Sequence, residues 1–152
     1  MRKLTLALLM ALLAPTTSFS SEPPAQPKQS TQNQDRVLSI AKFHGKLTSF
    51  QWGDYLHANF KTRSGKERSF FILRPGIDYF LTMHKDQDLI VTYEVVDQYV
   101  PEASERIKLE RIVEVQAGQQ RYSAWWPRIE KQSSMEKIDR RFKPAMDKLM
   151  VE

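Results

Sequence analysis

The stretch FQWGDYLHANFKTRSGKERSFFIL, residues 50–73, constrains the fold more than any other part of the chain. It contains three apolar runs separated by two turn signals, Gly53-Asp54 and the segment RSGKE, in which Gly65 can adopt a positive φ. Short apolar runs between such turns are typical of antiparallel strands. The stretch therefore predicts three consecutive strands joined by tight turns.

The middle run, residues 55–62, alternates between apolar and polar side chains. Neighbouring residues of a strand point to opposite faces of the sheet, and a slip of one residue would exchange the two faces. We therefore expect a half-buried strand whose polar side chains point to solvent. The inner set is Leu56, Ala58, Phe60 and Thr62, and the outer set is Tyr55, His57, Asn59 and Lys61.

Strands and a helix are predicted on either side of this run. A first strand begins near Lys42 and ends at Trp52, and the third strand, residues 68–74, is apolar on both sides. After the break at Pro75-Gly76, apolar residues recur at the spacing of one helix face, which predicts a short helix of about three turns. His84 lies on the apolar side of this helix and is interpreted as a core or rim residue.

Two more strands are predicted at residues 89–100 and 106–115, each with one apolar face. Arg111 is an exception on the apolar side of the second, and we interpret it as marking a bulge. The core residues expected on the first of these strands are Val91 and Tyr93. On the second they are Ile107, Leu109, Val113 and Val115, with Ile112 on the opposite face.

The order of these elements, three strands, a helix and two strands, resembles the OB-fold, a small five-stranded barrel. The resemblance covers about residues 40–117 and rests on element order, with Gly45 early in the first strand and the Gly53-Asp54 turn. It is similar in kind to small exported OB-fold-like domain proteins of bacteria. It implies a mainly β fold with helices, namely a five-stranded OB-like barrel with a short helix between strands 3 and 4. An unrelated α+β sheet is the alternative.

The N-terminal segment has the layout of a secretory signal peptide. Arg2 and Lys3 precede an apolar run, residues 4–14, that is too short to span a bilayer, and small residues then lead to a cleavage site after Ser20. A membrane-anchoring helix is the alternative, which Pro15 and the polar run after it disfavour. A signal peptide at residues 1–20 predicts export to a bacterial periplasm.

The rest of the chain divides into three parts. Residues 21–36 are rich in Pro, Gln and Ser and lack large apolar side chains, so we expect a disordered leader. The OB-like barrel is expected at residues 37–117, and a helical tail at residues 118–152.

The net charge of +5 lies outside the predicted barrel. Residues 1–20 carry +2 and residues 118–152 carry +3, whereas residues 37–117 hold 11 basic and 11 acidic side chains. A domain that binds nucleic acid needs an excess of positive charge to neutralise phosphates. The neutral barrel and the export signal therefore argue against a nucleic-acid partner. The absence of Cys excludes disulfides and thiolate metal sites.

The sequence contains no recognised catalytic motif, neither a G-x-S-x-G elbow, an H-E-x-x-H pair nor a phosphate-binding glycine loop. His44 and His57 could approach each other on adjacent strands, but two His without a third ligand make a poor metal site. Asp86 and Asp88 are interpreted as part of a solvated turn, because a calcium loop needs more oxygen ligands. We therefore expect no catalytic residue, metal or cofactor.

The outer face of the second and third strands is the candidate binding surface, because ligands of OB-folds usually lie there. Aromatic and amide side chains suit sugars, whereas aromatic side chains with Lys suit single-stranded nucleic acid. The alternative is that these are ordinary solvent-facing strand residues. The candidates are Tyr55, His57, Asn59 and Lys61, with Trp52 and Arg68 nearby.

The tail carries an apolar stripe at helical period, which Pro144 would kink. We expect the stripe to pack on the barrel or on a partner, and the basic residues of the tail also allow contact with an anionic membrane surface. Trp125 and Trp126 are interpreted either as interface anchors or as a cap on the open end of the barrel, and we favour the cap. The stripe comprises Met135, Ile138, Phe142, Met146 and Leu149.

Together these features predict a non-enzymatic periplasmic protein that holds a protein partner in the cell envelope, as an adaptor or an inhibitor. A module that binds carbohydrate or peptidoglycan fragments through the face of strands two and three is the alternative. A small enzyme with an unrecognised site is the third class. Exposure of Trp52 beside Tyr55 and His57 would favour a binding face, and burial of all three would exclude one.

Overall fold

The computed structural model describes residues 35–100 and 104–151, a mainly β chain with three helices. The strands are β1 (Arg36–Trp52), β2 (Leu56–Lys61), β3 (Glu67–Phe71), β4 (Leu89–Val100), β5 (Glu105–Ala117), β6 (Gln120–Arg121) and β7 (Met150–Val151). The helices are α1 (Ile77–Met83), α2 (Tyr122–Gln132) and α3 (Met135–Asp147). The predicted signal peptide and nearly all of the predicted leader lie outside the described residues.

Five strands form a closed ring. β1 pairs with β2 through residues 46–52 and with β4 through residues 36–45. β2 pairs with β3, β4 pairs with β5, and a parallel contact between Phe71 and Arg111 joins β3 to β5. The order around the ring is therefore β1-β2-β3-β5-β4, and the prediction of a mainly β fold with helices is confirmed.

Gly45 lies where β1 changes its partner from β4 to β2. A Cβ at this position would lie 2.7 Å from a ring atom of Phe43 and 2.8 Å from the carbonyl oxygen of Lys61. Such distances are too short for a side chain, so only glycine lets the two strands approach this closely. The glycine noted early in the first strand therefore has a packing role.

The alternation predicted for β2 is confirmed. Leu56, Ala58 and Phe60 are buried and belong to the main core. Tyr55 is exposed on the opposite face, while His57 and Asn59 on that face are half-buried. The inner faces of β1 and β3 complete this part of the core, in which the rings of Phe43, Phe60 and Phe70 pack edge to face.

The faces of β5 differ from the prediction because the strand contains a β-bulge. Thr92 and Tyr93 are neighbours on β4, but they oppose Glu114 and Ile112, so Val113 is an extra residue on β5. The extra residue exchanges the two faces on its N-terminal side. Ile112 is consequently fully buried, and the prediction that it lies away from the core is wrong.

The core residues predicted on β4 and β5 have mixed outcomes. Val91 and Tyr93 are buried, as predicted, whereas Ile107 is 37% exposed and its prediction is wrong. Leu109 is buried as predicted, but it opposes Val96 at a site separate from the main core. On the N-terminal side of the bulge, β5 turns the opposite face towards the core. This is why Ile107 is exposed and Leu109 lies outside the main core.

Arg111 lies beside this bulge, as predicted, but on the outer face of the ring rather than the apolar one. Its guanidinium is 3.0 Å from the carboxylate of Glu94 and 3.5 Å from that of Asp35. Since Ile112 takes the inner position, no basic side chain is forced into the core here.

The tail is helical, as predicted, and packs on the ring. α3 runs through Pro144, and Ile138, Phe142 and Met146 on its apolar side are buried in the same core as the strands. Leu149 is partly buried, but Met135 at the other end of the stripe is 47% exposed. The ring and the tail therefore share one hydrophobic core.

None of the helices in the described part of the chain combines the length and the apolar character needed to cross a bilayer.

His84 lies directly after α1 and is buried against the ring of Phe80, at 4.5 Å between ring centroids. The helix has about two turns, one fewer than predicted. Neither ring nitrogen of His84 has a hydrogen-bond partner among the described residues. Burial lowers the pKa of His84, and the nearby side chains of Gln120 and Gln87, which lie outside hydrogen-bond geometry, offset only part of this effect. The folded state therefore favours the neutral imidazole.

We expect this burial to make stability depend on pH. The unfolded chain binds a proton at His84 below its usual pKa of about 6.5, and the folded chain does so only at lower pH. The free energy of unfolding should therefore be highest above about pH 6.5 and fall as the pH drops below that value. Denaturant titrations of His84→Gln should show a weaker fall than wild type. The exposed His44→Gln serves as the control, and an equal fall in both variants would contradict the prediction.

Candidate functional site

A groove of about 320 Å³ lies where the β1–β2 turn, the β3–α1 loop and the start of α3 meet. Four of its lining residues are large and apolar yet exposed, in contrast to the buried core beneath them. These are Trp52, at 64% exposure, Tyr55 at 43%, Leu73 at 38% and Met135 at 47%. Exposed apolar side chains that share one concave surface are typical of binding sites.

The β1–β2 turn positions the aromatic rim of this groove. β1 ends at Trp52, and the amide of Gly53 donates to the carbonyl of Tyr55 at 3.1 Å, which closes the turn. The ring of Tyr55 packs edge to face on Phe71, with 5.9 Å between centroids. Trp52 and Tyr55 are therefore held on a short, hydrogen-bonded turn between two paired strands.

The β3–α1 loop forms the opposite wall. The amide of Ile72 donates to the carbonyl of Leu56 at 2.8 Å, which continues the β2–β3 pairing into this loop. The hydroxyl of Tyr122 donates to the carbonyl of Pro75 at 2.7 Å and holds the loop against α2. Arg74 donates to the carbonyl of Val113 at 3.2 Å. The wall is thus tied to three neighbouring elements.

Asp78 is the half-buried acid of the groove. Burial raises the pKa of Asp78, and the carboxylate of Asp139 on α3 raises it further, while backbone amides at the start of α1 partly oppose the shift. The hydroxyl of Tyr79 donates to Asp139, and burial together with this bond raises the pKa of Tyr79. The groove therefore has a partly desolvated carboxylate at the junction of the ring and the tail.

Two larger cavities, of about 480 and 450 Å³, lie around the β2–β3 turn. Arg63 and Asp88 line both, and these two side chains pair with each other at 2.6 Å. Neither of these two cavities has a Trp, Tyr or Phe in its lining, and in a third cavity, of about 460 Å³ along β1, β2 and β3, the one aromatic residue is the fully buried Phe60. Aromatic side chains are the usual anchors of interfaces, so the groove is the better candidate despite its smaller volume.

The predicted binding face of β2 and β3 separates into several environments. Trp52 and Tyr55 line the groove, but His57 lies farther along β2 and covers the ring of Phe71 at 4.2 Å between centroids. Asn59 donates to the hydroxyl of Ser49 at 3.0 Å. Trp52 is thus exposed beside Tyr55, as the binding interpretation requires, while His57 lies outside the groove lining.

Lys61 and Arg68 take no part in the groove either. Lys61 is exposed and lies 3.3 Å from the carboxylate of Glu67. Arg68 shares the inner side of β3 with Phe70, so its placement with the outer face is wrong. Its guanidinium lies over the rings of Phe70 and Tyr93 at 5.0 and 4.8 Å, and pairs with Glu110. Arg68 therefore closes the core between β3 and β5.

Trp125 and Trp126 are buried in the core rather than displayed on the surface. The ring of Trp125 packs on Phe80 and Phe142, and that of Trp126 packs near Tyr79 at 6.2 Å between centroids. This packing supports their interpretation as a cap on one end of the core and leaves no exposed ring for an interface.

The two histidines considered as a metal pair are far apart. His57 lies opposite Gln51 on β1, and His44 is seven residues away along the same strand, at about 3.3 Å per residue. The pairing of His44 with His57 that was considered from the strand order is therefore not found. Within residues 35–100 and 104–151, no group of three His, Asp or Glu side chains is placed to hold a metal ion.

Five groove residues were missed as site residues by the reasoning from sequence. Asp54 was considered only as a turn residue, and Leu73 and Arg74 only as the end of a strand. Asp78 lies inside a predicted helix, and Met135 was assigned to the buried stripe. The Pro75-Gly76 break was the available signal, because loops between a strand and a helix often carry ligand sites.

Comparisons of the chain with protein-family models, with curated proteins and with solved structures find no match.

Proposed function

We propose that this chain is a non-enzymatic binding protein of the bacterial cell envelope and that it holds a protein partner in the groove. The observation that carries the proposal is the grouping of Trp52, Tyr55, Leu73 and Met135, all exposed, around one concave surface. Aromatic and long aliphatic side chains in a desolvated recess are the usual anchors of protein interfaces. Met135 comes from the tail, so the ring and the tail would bind the partner together.

We also propose that the ring of five strands is an OB-type barrel. The order β1-β2-β3-β5-β4 around the ring and the position of α1 between β3 and β4 support this assignment. The groove lies beside the turn between the first two strands, and the L12 loop is one of the loops through which OB-folds bind ligands. The resemblance to small exported domain proteins of bacteria rests on the same architecture.

The chemistry of the groove favours binding over catalysis. Its titratable side chains are Asp54, Tyr55, Arg74, Asp78 and Tyr79, and the hydroxyl of Tyr79 is engaged with Asp139. A nucleophile needs an adjacent base to activate it, and no His, Ser or Thr is among the residues that line the groove. The buried part of the apolar side of α3 packs on α1 and α2, so membrane contact through the tail would depend mainly on its basic side chains.

Site-specific capture tests the proposal, because the chain has no Cys and a single one can be introduced. Leu73→Cys places a photocrosslinker in the groove, and Met83→Cys places one on α1, outside the groove lining, at the same 38% exposure of the native side chain. In envelope extract, we expect residue 73 to capture one defined protein that residue 83 does not. Mass spectrometry of the crosslinked product identifies it.

A second variant links the captured protein to the groove. Trp52→Ala should weaken binding of the purified partner by about 2 kcal/mol or more, which is about 30-fold in Kd, if Trp52 is an interface anchor. The protein should remain folded, because Trp52 is mostly exposed. Equal capture at residues 73 and 83, or a Kd unchanged by Trp52→Ala, would refute the proposal.

The second candidate is a module that binds oligosaccharides such as peptidoglycan fragments. Two exposed aromatic rings, Trp52 and Tyr55, share the groove with the carboxylates of Asp54 and Asp78. Sugars stack on aromatic rings and donate hydroxyl hydrogen bonds to carboxylates. If soluble peptidoglycan fragments reduce capture of the protein at residue 73, this candidate is favoured. If the groove binds only a protein, the fragments should not change the capture.

A further inference from the structure

The groove has two carboxylates that no cation of the described residues neutralises. Asp54 and Asp78 take part in none of the ion pairs found in residues 35–100 and 104–151. Arg74 is the one cation of the lining, and it donates to the main-chain carbonyl of Val113. The charge of the lining is therefore negative, by two acids against one base.

The environment of Asp78 disfavours the negative charge of its own carboxylate. The carboxyl is half-buried, and burial raises the pKa of Asp78 towards the neutral form. Asp139 adds to the shift, and the groups of this structure that oppose it are backbone amides rather than a cationic side chain. A cation brought into the groove would lower the free energy of the charged carboxylate.

Aromatic rings lie next to these carboxylates. Trp52, Asp54 and Tyr55 fall within four consecutive residues of the β1–β2 turn, and both rings are exposed. The faces of Trp and Tyr rings attract cations through their quadrupoles, most strongly where water is partly excluded. Leu73 and Met135 add apolar contact for the methylene groups of a long side chain.

We propose that the groove binds a Lys or Arg side chain of the protein partner, with its cation against Trp52 and Tyr55 and paired with the carboxylates of Asp54 and Asp78. This inference rests on the proposed function, since it takes the groove as the partner site. The partner segment would carry apolar residues beside the basic one, to match the aliphatic part of the rim. Charge complementarity distinguishes this occupant from an acidic or purely apolar segment.

A titration of the full-length protein with two matched peptides tests the inference. Both peptides have the same apolar flanks, and one carries Arg where the other carries citrulline, which has nearly the same shape without the charge. The indole N–H signal of Trp52 reports binding in an NMR spectrum and is assigned with Trp52→Phe. We expect the Arg peptide to shift this signal and to bind about tenfold more tightly than the citrulline peptide.

The preference should depend on the groove carboxylates. Asp78→Asn should reduce the Arg preference to about threefold or less, and Asp54→Asn should reduce it in part, since each removes one charge facing the cation. Asp86→Asn removes the same charge from an exposed turn outside the groove and should leave the preference intact. Asn keeps the acceptor oxygen that faces the backbone amides at the start of α1, so Asp78→Asn should fold.

The outcomes separate this inference from the proposed function. Equal binding of both peptides with a shift at Trp52 would refute the cation assignment and leave the groove as a binding site. An Arg preference that survives Asp78→Asn and Asp54→Asn would also refute it. If neither peptide moves the Trp52 signal, the cation assignment fails, while capture through residue 73 still decides the proposed function by itself.

Discussion

Gly76→Ala is expected to destabilise the protein by about 2–5 kcal/mol, one of the largest effects of any single substitution in this chain. Gly76 has φ 81°, a backbone conformation that costs a residue with a Cβ roughly 1–2 kcal/mol. Its hydrogen atoms also face the indole of Trp126, and a Cβ would overlap the six-membered ring. Forcing the indole aside adds an overpacking cost of about 1–3 kcal/mol. The measurement is the free energy of unfolding in denaturant.

Gly118→Ala provides the matched control for this substitution. Gly118 also has a positive φ, at 56°, but a Cβ there would meet nothing within 4 Å. It should therefore show only the conformational cost of about 1–2 kcal/mol. The difference between the two variants measures the contact with Trp126. Equal costs for Gly76→Ala and Gly118→Ala would show that the indole moves freely and that the cap is not tightly packed.

Deletion of residues 119–152 is expected to abolish cooperative folding. The tail contributes Trp125, Trp126, Ile138, Phe142 and Met146 to the core that the ring also forms. Each large side chain contributes about 1.5–3 kcal/mol on burial, and five together match the whole stability of a typical domain, about 5–15 kcal/mol. Without them, Phe80 and Tyr79 on α1 would face water. Thermal unfolding followed by circular dichroism should show no sharp transition, and binding of a hydrophobic dye should rise.

Two point substitutions in α3 show whether the effect of the deletion comes from the buried side chains of the tail. Phe142→Ala removes a ring that stacks on Tyr79 at 5.5 Å and should cost about 3–5 kcal/mol. Met135→Ala changes an exposed member of the same stripe and should stay within about 0.5 kcal/mol of wild type. A truncated protein that unfolds cooperatively at the wild-type midpoint would show that the ring folds without the tail.

The alternation of β2 and the stripe of α3 show what could be predicted locally. Leu56, Ala58 and Phe60 point inward because a strand repeats every two residues, whatever its neighbours are. Ile138 and Phe142 share a helix face because they lie four residues apart. Such regular spacing identified most of the strands, the helix after β3 and the helical tail.

The wrong prediction of the buried face of β5 also has a simple cause. Ile107 and Ile112 differ from the prediction because the two-residue period is interrupted at Val113, and that interruption exists only through pairing with β4. Arg68 also keeps the period of β3, but its inward position is acceptable only because Glu110 of β5 neutralises its charge. In both cases a partner strand that is distant along the chain decided the outcome.

By itself the sequence determined the element order, the inner face of β2 and the apolar side of the tail, because each follows from repeats of two to four residues. Only the tertiary structure decided that Trp52, Leu73, Asp78 and Met135 share a groove, since they come from four segments joined by the closed ring. The tertiary structure also decided that Trp126 is buried, because its indole packs against Gly76, fifty residues earlier in the chain. Local spacing sets the direction of a side chain relative to its own backbone, and only packing between distant segments decides whether that direction meets water or another side chain.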